Sequence, residues 1–118
     1  MKIFIKECSE YEAELLVQVE NEEFLCYSDY GDINYQHIEN IEFVTFLAQN
    51  VVRSSSQIFS IKKTDIGYFS YKIVGKFIGN NKVAIEDCTF ILDIEVPKDI
   101  KIGEYISFDF LRSDITGL

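Results

Sequence analysis

Acid–base catalysis runs most often through histidine, and this chain carries a single one, His37, in a polar stretch from Ile33 to Asn40. No partner motif surrounds it, and the expectation is an exposed loop histidine. A serine nucleophile needs a sharp turn and a neighbouring base. The run Ser54-Ser55-Ser56 has neither the flanking glycines nor the base, so it reads as loop composition. The three cysteines, Cys8, Cys26 and Cys88, are odd in number and far apart. They cannot form a complete disulfide framework, and without a C-x-x-C pair or a Cys/His cluster they do not make a zinc site. They read as small buried or half-buried thiols. Asp29-x-x-Asp32 and Glu22-Glu23 place carboxylates near one another, but twenty acidic residues guarantee such neighbours. The Asp29–Asp32 stretch lacks the alternating acids and distal glutamate of a calcium loop. No phosphate-binding glycine motif or H-E-x-x-H occurs. The sequence therefore assigns no catalytic residue, no cofactor and no metal ligand, and it predicts a non-enzymatic protein.

Binding is the remaining chemistry, and two surfaces compete for it. Glu20, Glu22, Glu23, Asp29 and Asp32 fall at predicted turns of the first half, with Tyr27 and Tyr30 among them. Carboxylates steer association with a basic protein, and tyrosines supply rigid contact area once it is docked. The rival set is Tyr68, Phe69, Tyr71 and Phe77 with Lys72 and Lys76 on one strand, and Lys62 and Lys63 nearby. Aromatics flanked by lysines suit a single-stranded nucleic acid on an OB-like fold. Net charge decides between them. The chain has 11 basic and 20 acidic residues, a formal charge of -9, which disfavours a polyanionic partner and an anionic membrane. From 1 to 59 there are eleven acids against three bases; from 60 to 118 there are nine against eight. The negative excess is concentrated where the turn carboxylates lie.

The elements that position these residues read as strands. Tyr11, Ala13, Leu15, Val17 and Val19 alternate with Glu12, Glu14, Gln18 and Glu20. A helix over 9–20 competes, because Ser9-x-x-Glu12 is a capping box and Tyr11, Leu15 and Val19 share a helix face. The longer alternation and the β-branched pair favour the strand. A turn at Asn21–Glu23 returns the chain through Phe24–Ser28 as a hairpin. Ile41, Phe43 and Thr45 alternate with Glu42, Val44 and Phe46, with a helix over 39–52 as the rival. Residues 49–57 read as a surface loop. The second half predicts strands over 58–62, 68–78, 83–86, 90–96 and 104–112, with Gly75 as a bulge or close-packing point and a tail from Ser113. Gly79-Asn80-Asn81-Lys82 is a strong hairpin turn, because Gly and Asn accept positive φ.

Together these predict an all-β chain of about nine strands, a small sandwich or open barrel, in one domain over 1–118. Val17, Val19, Glu20, Phe24 and Leu25 match Val83, Ile85, Glu86, Phe90 and Ile91. This correspondence suggests two pseudo-repeated β-meanders, 11–47 and 77–112. Charges at Lys6 and Glu7 interrupt any signal-peptide core, and no window is apolar enough to span a membrane, which predicts a cytoplasmic protein. Abundant Ile, Phe, Asn and Lys suit an AT-rich bacterial genome. The function expected is that of an acidic protein-binding module. Its most concrete form is an immunity or inhibitor protein that neutralises a basic toxin or nuclease.

Overall fold

The computed structural model describes residues 1–8, 13–28 and 41–116, with the Glu7 and Cys8 side chains left aside. Among these residues there is no helix. Eleven strands run β1 (Lys2–Cys8), β2 (Ala13–Val19), β3 (Glu22–Ser28), β4 (Glu42–Phe46), β5 (Gln49–Arg53), β6 (Ser60–Lys63), β7 (Tyr71–Gly79), β8 (Lys82–Ile85), β9 (Cys88–Ile91), β10 (Tyr105–Phe110) and β11 (Arg112–Thr116). They form one open sheet in the order β1-β2-β3-β11-β4-β9-β8-β7-β10-β5, with β6 also paired to β7.

The alternation read in the sequence sets the two faces. Ala13, Leu15, Val17 and Val19 are buried along β2, and Phe43 and Thr45 along β4. Tyr71, Ile73 and Phe77 are buried along β7, and Ile106, Phe108 and Phe110 along β10. Both disputed segments are strands where they are described, 13–19 and 42–46, because each hides one side of a period-two pattern. The thiols of Cys26 and Cys88 are buried and unbridged, and that burial pushes both pKa values up.

The sheet curls strongly. From β3 to β7 is five steps in the sheet order, about 24 Å if the sheet were flat. Yet the Phe24 and Tyr71 ring centroids are 6.2 Å apart, and the Leu25 N–H donates to the Tyr71 hydroxyl at 3.0 Å. The curl gathers Phe24, Phe43, Phe90 and Phe110 into one cluster. Phe24 lies 5.1 Å from Phe43 and 5.2 Å from Phe90, and Phe90 lies 5.7 Å from Phe110. Edge and tilted contacts of this kind add to the burial of apolar area.

Gly75 lets β7 and β8 approach closely. One edge of β7 is shared by two strands: β6 pairs with residues 71–74, and β8 pairs from Lys76 onward. Gly75 sits between the two, and a Cβ there would lie 2.7 Å from Val83 Cγ1 and 2.9 Å from the Ala84 carbonyl oxygen. The predicted close-packing role at Gly75 follows from this approach. The hairpin turn after it is also as expected, with Gly79, Asn80 and Asn81 all at positive φ.

Several expectations are corrected. The described residues form eleven strands, not about nine. Residues 49–53 are an edge strand on β10 rather than loop, and 112–116 form an interior strand between β3 and β4 rather than a tail. The strand expected over 90–96 is 88–91. It ends because Asp93 turns to the β4–β5 connection, where its carboxylate accepts from the Leu47 and Ala48 N–H groups and from the Thr45 hydroxyl. The wider pseudo-repeat is not confirmed. Beyond the two hairpins the matched strands have different neighbours, β11 and β9 for β4 but β7 and β5 for β10.

Candidate docking site

The hairpin correspondence does hold locally, and it builds a site. Val17 pairs with Phe24 and Val19 with Glu22; Val83 pairs with Phe90 and Ile85 with Cys88. Each hairpin closes through a two-residue tip that begins with a glutamate, Glu20 at φ 54° and Glu86 at φ 52°. Left-handed φ is uncommon outside glycine, asparagine and aspartate. The β7–β8 tip uses two asparagines at that geometry, so glutamate at the other two tips goes against local preference.

Both tips border one crevice of about 220 Å³, together with Val19, Asn21, Glu22, Ile58, Phe59 and Ile85. Its apolar lining comes from the buried ends of β2 and β8 and from the 54–59 connection. Phe59 is fixed against the Tyr105 ring at 5.6 Å, while Ile58 is 76% exposed. Glu20, Glu22 and Glu86 form the rim. None of the three meets a cation within 4.0 Å among the described residues, whereas Glu42, Asp99, Glu104 and Asp114 all do. An apolar pocket edged by unpaired carboxylates accepts the aliphatic stem and charged head of an arginine or lysine.

The other sequence candidates are distributed differently. Glu23 is exposed but faces the opposite side of β3 from Glu22. Tyr27 lies four residues further on, about 14 Å along the strand. It is half-buried, with the Arg112 guanidinium 5.2 Å over its ring; the same guanidinium lies 4.6 Å from the Phe46 ring centre, and Arg112 pairs with Asp114 at 2.7 Å. The structure therefore does not bring Tyr27 to the acidic crevice. Asp29, Tyr30, Asp32 and His37 lie outside the described residues. Glu86, Ile58 and Phe59 were missed as site residues, although the match of Glu20 with Glu86 already pointed to the first.

The rival surface is divided by the pleat. Tyr71 and Phe77 face the core, whereas Lys72 and Lys76 face out. Lys63 lies 5.5 Å over the Tyr71 ring and donates to the Thr64 and Gly67 carbonyls. Tyr68 is exposed beside Phe69 and donates to the Glu14 carboxylate, which raises its pKa. Strand 71–79 thus presents lysines on a face that lacks Tyr71 and Phe77.

Among the described residues no group of three or more His, Cys, Asp or Glu side chains is placed to hold a metal ion. No helix there is long and apolar enough to cross a membrane. No family model matches this chain, and neither a curated protein nor a solved structure matches it.

Proposed function

We propose that the chain is a non-enzymatic protein-binding module that docks a basic partner at the Glu20–Glu22–Glu86 crevice. In its most concrete form it neutralises a basic toxin or nuclease, as immunity proteins do. The observation that carries the reading is the pair of glutamates held at left-handed φ on the rim of one apolar crevice. Each costs about 1 kcal/mol of strain relative to a residue suited to that conformation. Local stability favours asparagine or glycine at both tips, which supports a role for the two carboxylates outside the fold.

The test uses E20N/E86N. Asparagine keeps the turn and removes the charge, so the variant gains about 2 kcal/mol of stability from the two sites. With a partner captured from the source cell, its association slows and the salt dependence of that rate becomes shallower, because rim charges act chiefly on encounter. Ile58→Ala speeds dissociation instead, as removal of an interface anchor does. The reading fails if the association rate of E20N/E86N equals that of the parent, or if the captured partner is a nucleic acid. Blocked activity of a captured basic nuclease establishes the immunity form; a captured basic protein without toxic activity removes that form and leaves the docking reading.

A further inference from the structure

A second concavity flanks the same 54–60 stretch as the acidic crevice but shares no lining residue with it. Strands β5, β10, β7 and β6 run side by side, and one row across them pairs Val52 with Ser107, Ser107 with Val74 and Val74 with Ser60. The adjacent row on the same outward face pairs Lys72 with Lys62. The 54–59 connection leaves β5 and returns to β6 beside these rows. Arg53, Ser54 and Ser55 then complete a cleft of about 350 Å³ with Ser60, Lys62, Lys72, Val74 and Ser107.

Its charges and hydroxyls are poorly satisfied by the protein. Like charges directly opposite one another on a sheet are destabilising. Lys62 and Lys72 are so placed, and neither has a carboxylate within 4.0 Å among the described residues to offset this. Asp109 is the register partner of Lys72 on β10, but its oxygens accept from Asn50 Nδ2 at 3.2 and 3.3 Å. Arg53 is committed to Glu104 and Asp99 and serves as a wall. Ser107 is only 9% exposed, yet neither its hydroxyl nor that of Ser60 bonds to a protein group among the described residues. Both hydroxyls are thus free to donate to a ligand in the cleft.

We infer that this cleft binds a phosphorylated small molecule, with Lys62 and Lys72 holding a phosphoryl dianion and Ser60 and Ser107 donating to its oxygens. Two facing ammonium groups match a dianion with three acceptor oxygens, whereas a carboxylate neutralises only one of them. The volume exceeds what a bare ion fills and falls at the lower end of small-ligand sites, leaving room for an organic group against Val74. A nucleic-acid strand fits less well, because the chain carries a charge of -9 and Tyr71 and Phe77 face inward, away from any base. The site is independent of the docking crevice and stands or falls without it.

The test is an amide-shift titration of the intact chain at pH 8 and constant ionic strength, with inorganic phosphate and phenyl phosphate as probes and chloride as control. Saturable shifts are expected at 53–55, 60–62, 72–74 and 107, with phenyl phosphate binding more tightly than phosphate. Lys62→Gln and Lys72→Gln should each weaken binding about tenfold. K62R/K72R, which keeps both charges, should retain it, and Lys82→Gln, whose ammonium pairs with Glu42 outside the cleft, should leave it unchanged. Lowering the pH to 5.5 should weaken it as the phosphoryl group becomes a monoanion. Shifts that chloride reproduces, that do not saturate, or that persist in K62Q/K72Q overturn the proposal. So does a thymidine oligonucleotide that binds this cleft when phenyl phosphate does not.

Discussion

Replacing Gly75 with alanine tests the close approach of β7 and β8 most directly. The added Cβ would sit 2.7 Å from Val83 Cγ1, 2.9 Å from the Ala84 carbonyl oxygen and 3.0 Å from Ile85 Cγ1. Carbon atoms normally rest about 3.5–4.0 Å apart, so the overlap with Val83 approaches 1 Å. Relief by side-chain rotation is blocked, since Val83 and Ile85 are buried and the third obstacle is backbone of β8, paired to both β7 and β9. The remaining relief is to part β7 from β8 where β6 and β8 divide its edge. Overpacking of this kind costs about 3 kcal/mol. For a chain of 118 residues the unfolding entropy is about 0.25 kcal/mol/K, so the midpoint should fall by about 12 °C. Two other glycines calibrate the result. Gly103 has open space but φ +97°, so Gly103→Ala should lose about 1–2 kcal/mol through backbone strain alone. At Gly67 the new Cβ meets only Leu111 Cδ1, at 3.1 Å and with no positive φ. Gly67→Ala should stay within about 0.5 kcal/mol, because a flexible side-chain end can yield and the unfolded chain loses freedom. Calorimetry on the three variants gives the order. A loss at Gly75 below about 1 kcal/mol, or one no larger than that at Gly103, would refute the close approach of β7 and β8 as the reason for glycine.

Tyr71→Phe deletes the oxygen that accepts from the Leu25 N–H at 3.0 Å and should cost about 1–2 kcal/mol by chemical denaturation, with the core ring itself preserved. In a Cys8→Ser background, burial keeps the Cys26 and Cys88 thiols protonated and shielded. A thiol reagent at pH 8 should therefore find no reactive group in the folded protein and two in the unfolded one. Arg53 donates to Glu104, and the Lys101 N–H donates to it as well, holding its carboxyl below the usual glutamate range. Folded Glu104 should therefore titrate below the unfolded value by NMR. The pairing then contributes above the unfolded pKa and is lost as pH falls through the folded one. Arg53→Gln should return the midpoint toward that of an ordinary glutamate.

Local and repetitive features were determined by the sequence itself. The inward faces of β2, β4, β7 and β10 follow from period-two alternation, which any strand with one buried side must obey. The Gly79–Asn81 turn follows from residues that tolerate positive φ. Likewise, the matching hairpins and their paired glutamates were visible as a run of like residues at like spacing. Tertiary structure decided the rest. Residues 112–116 are a strand because β3 and β4 supply hydrogen bonds on either side, and 49–53 because β10 does. Neither segment has enough alternation to say so alone. The parallel pairs β4–β9 and β3–β11 join segments far apart in the chain, and no local pattern encodes which distant strand will be a neighbour. The same is true of both proposed sites. Glu20 and Glu86 share a crevice, Lys62 and Lys72 face each other, and Tyr27 lies away from the acids because of sheet order, register and curl, which are fixed only when the whole core packs.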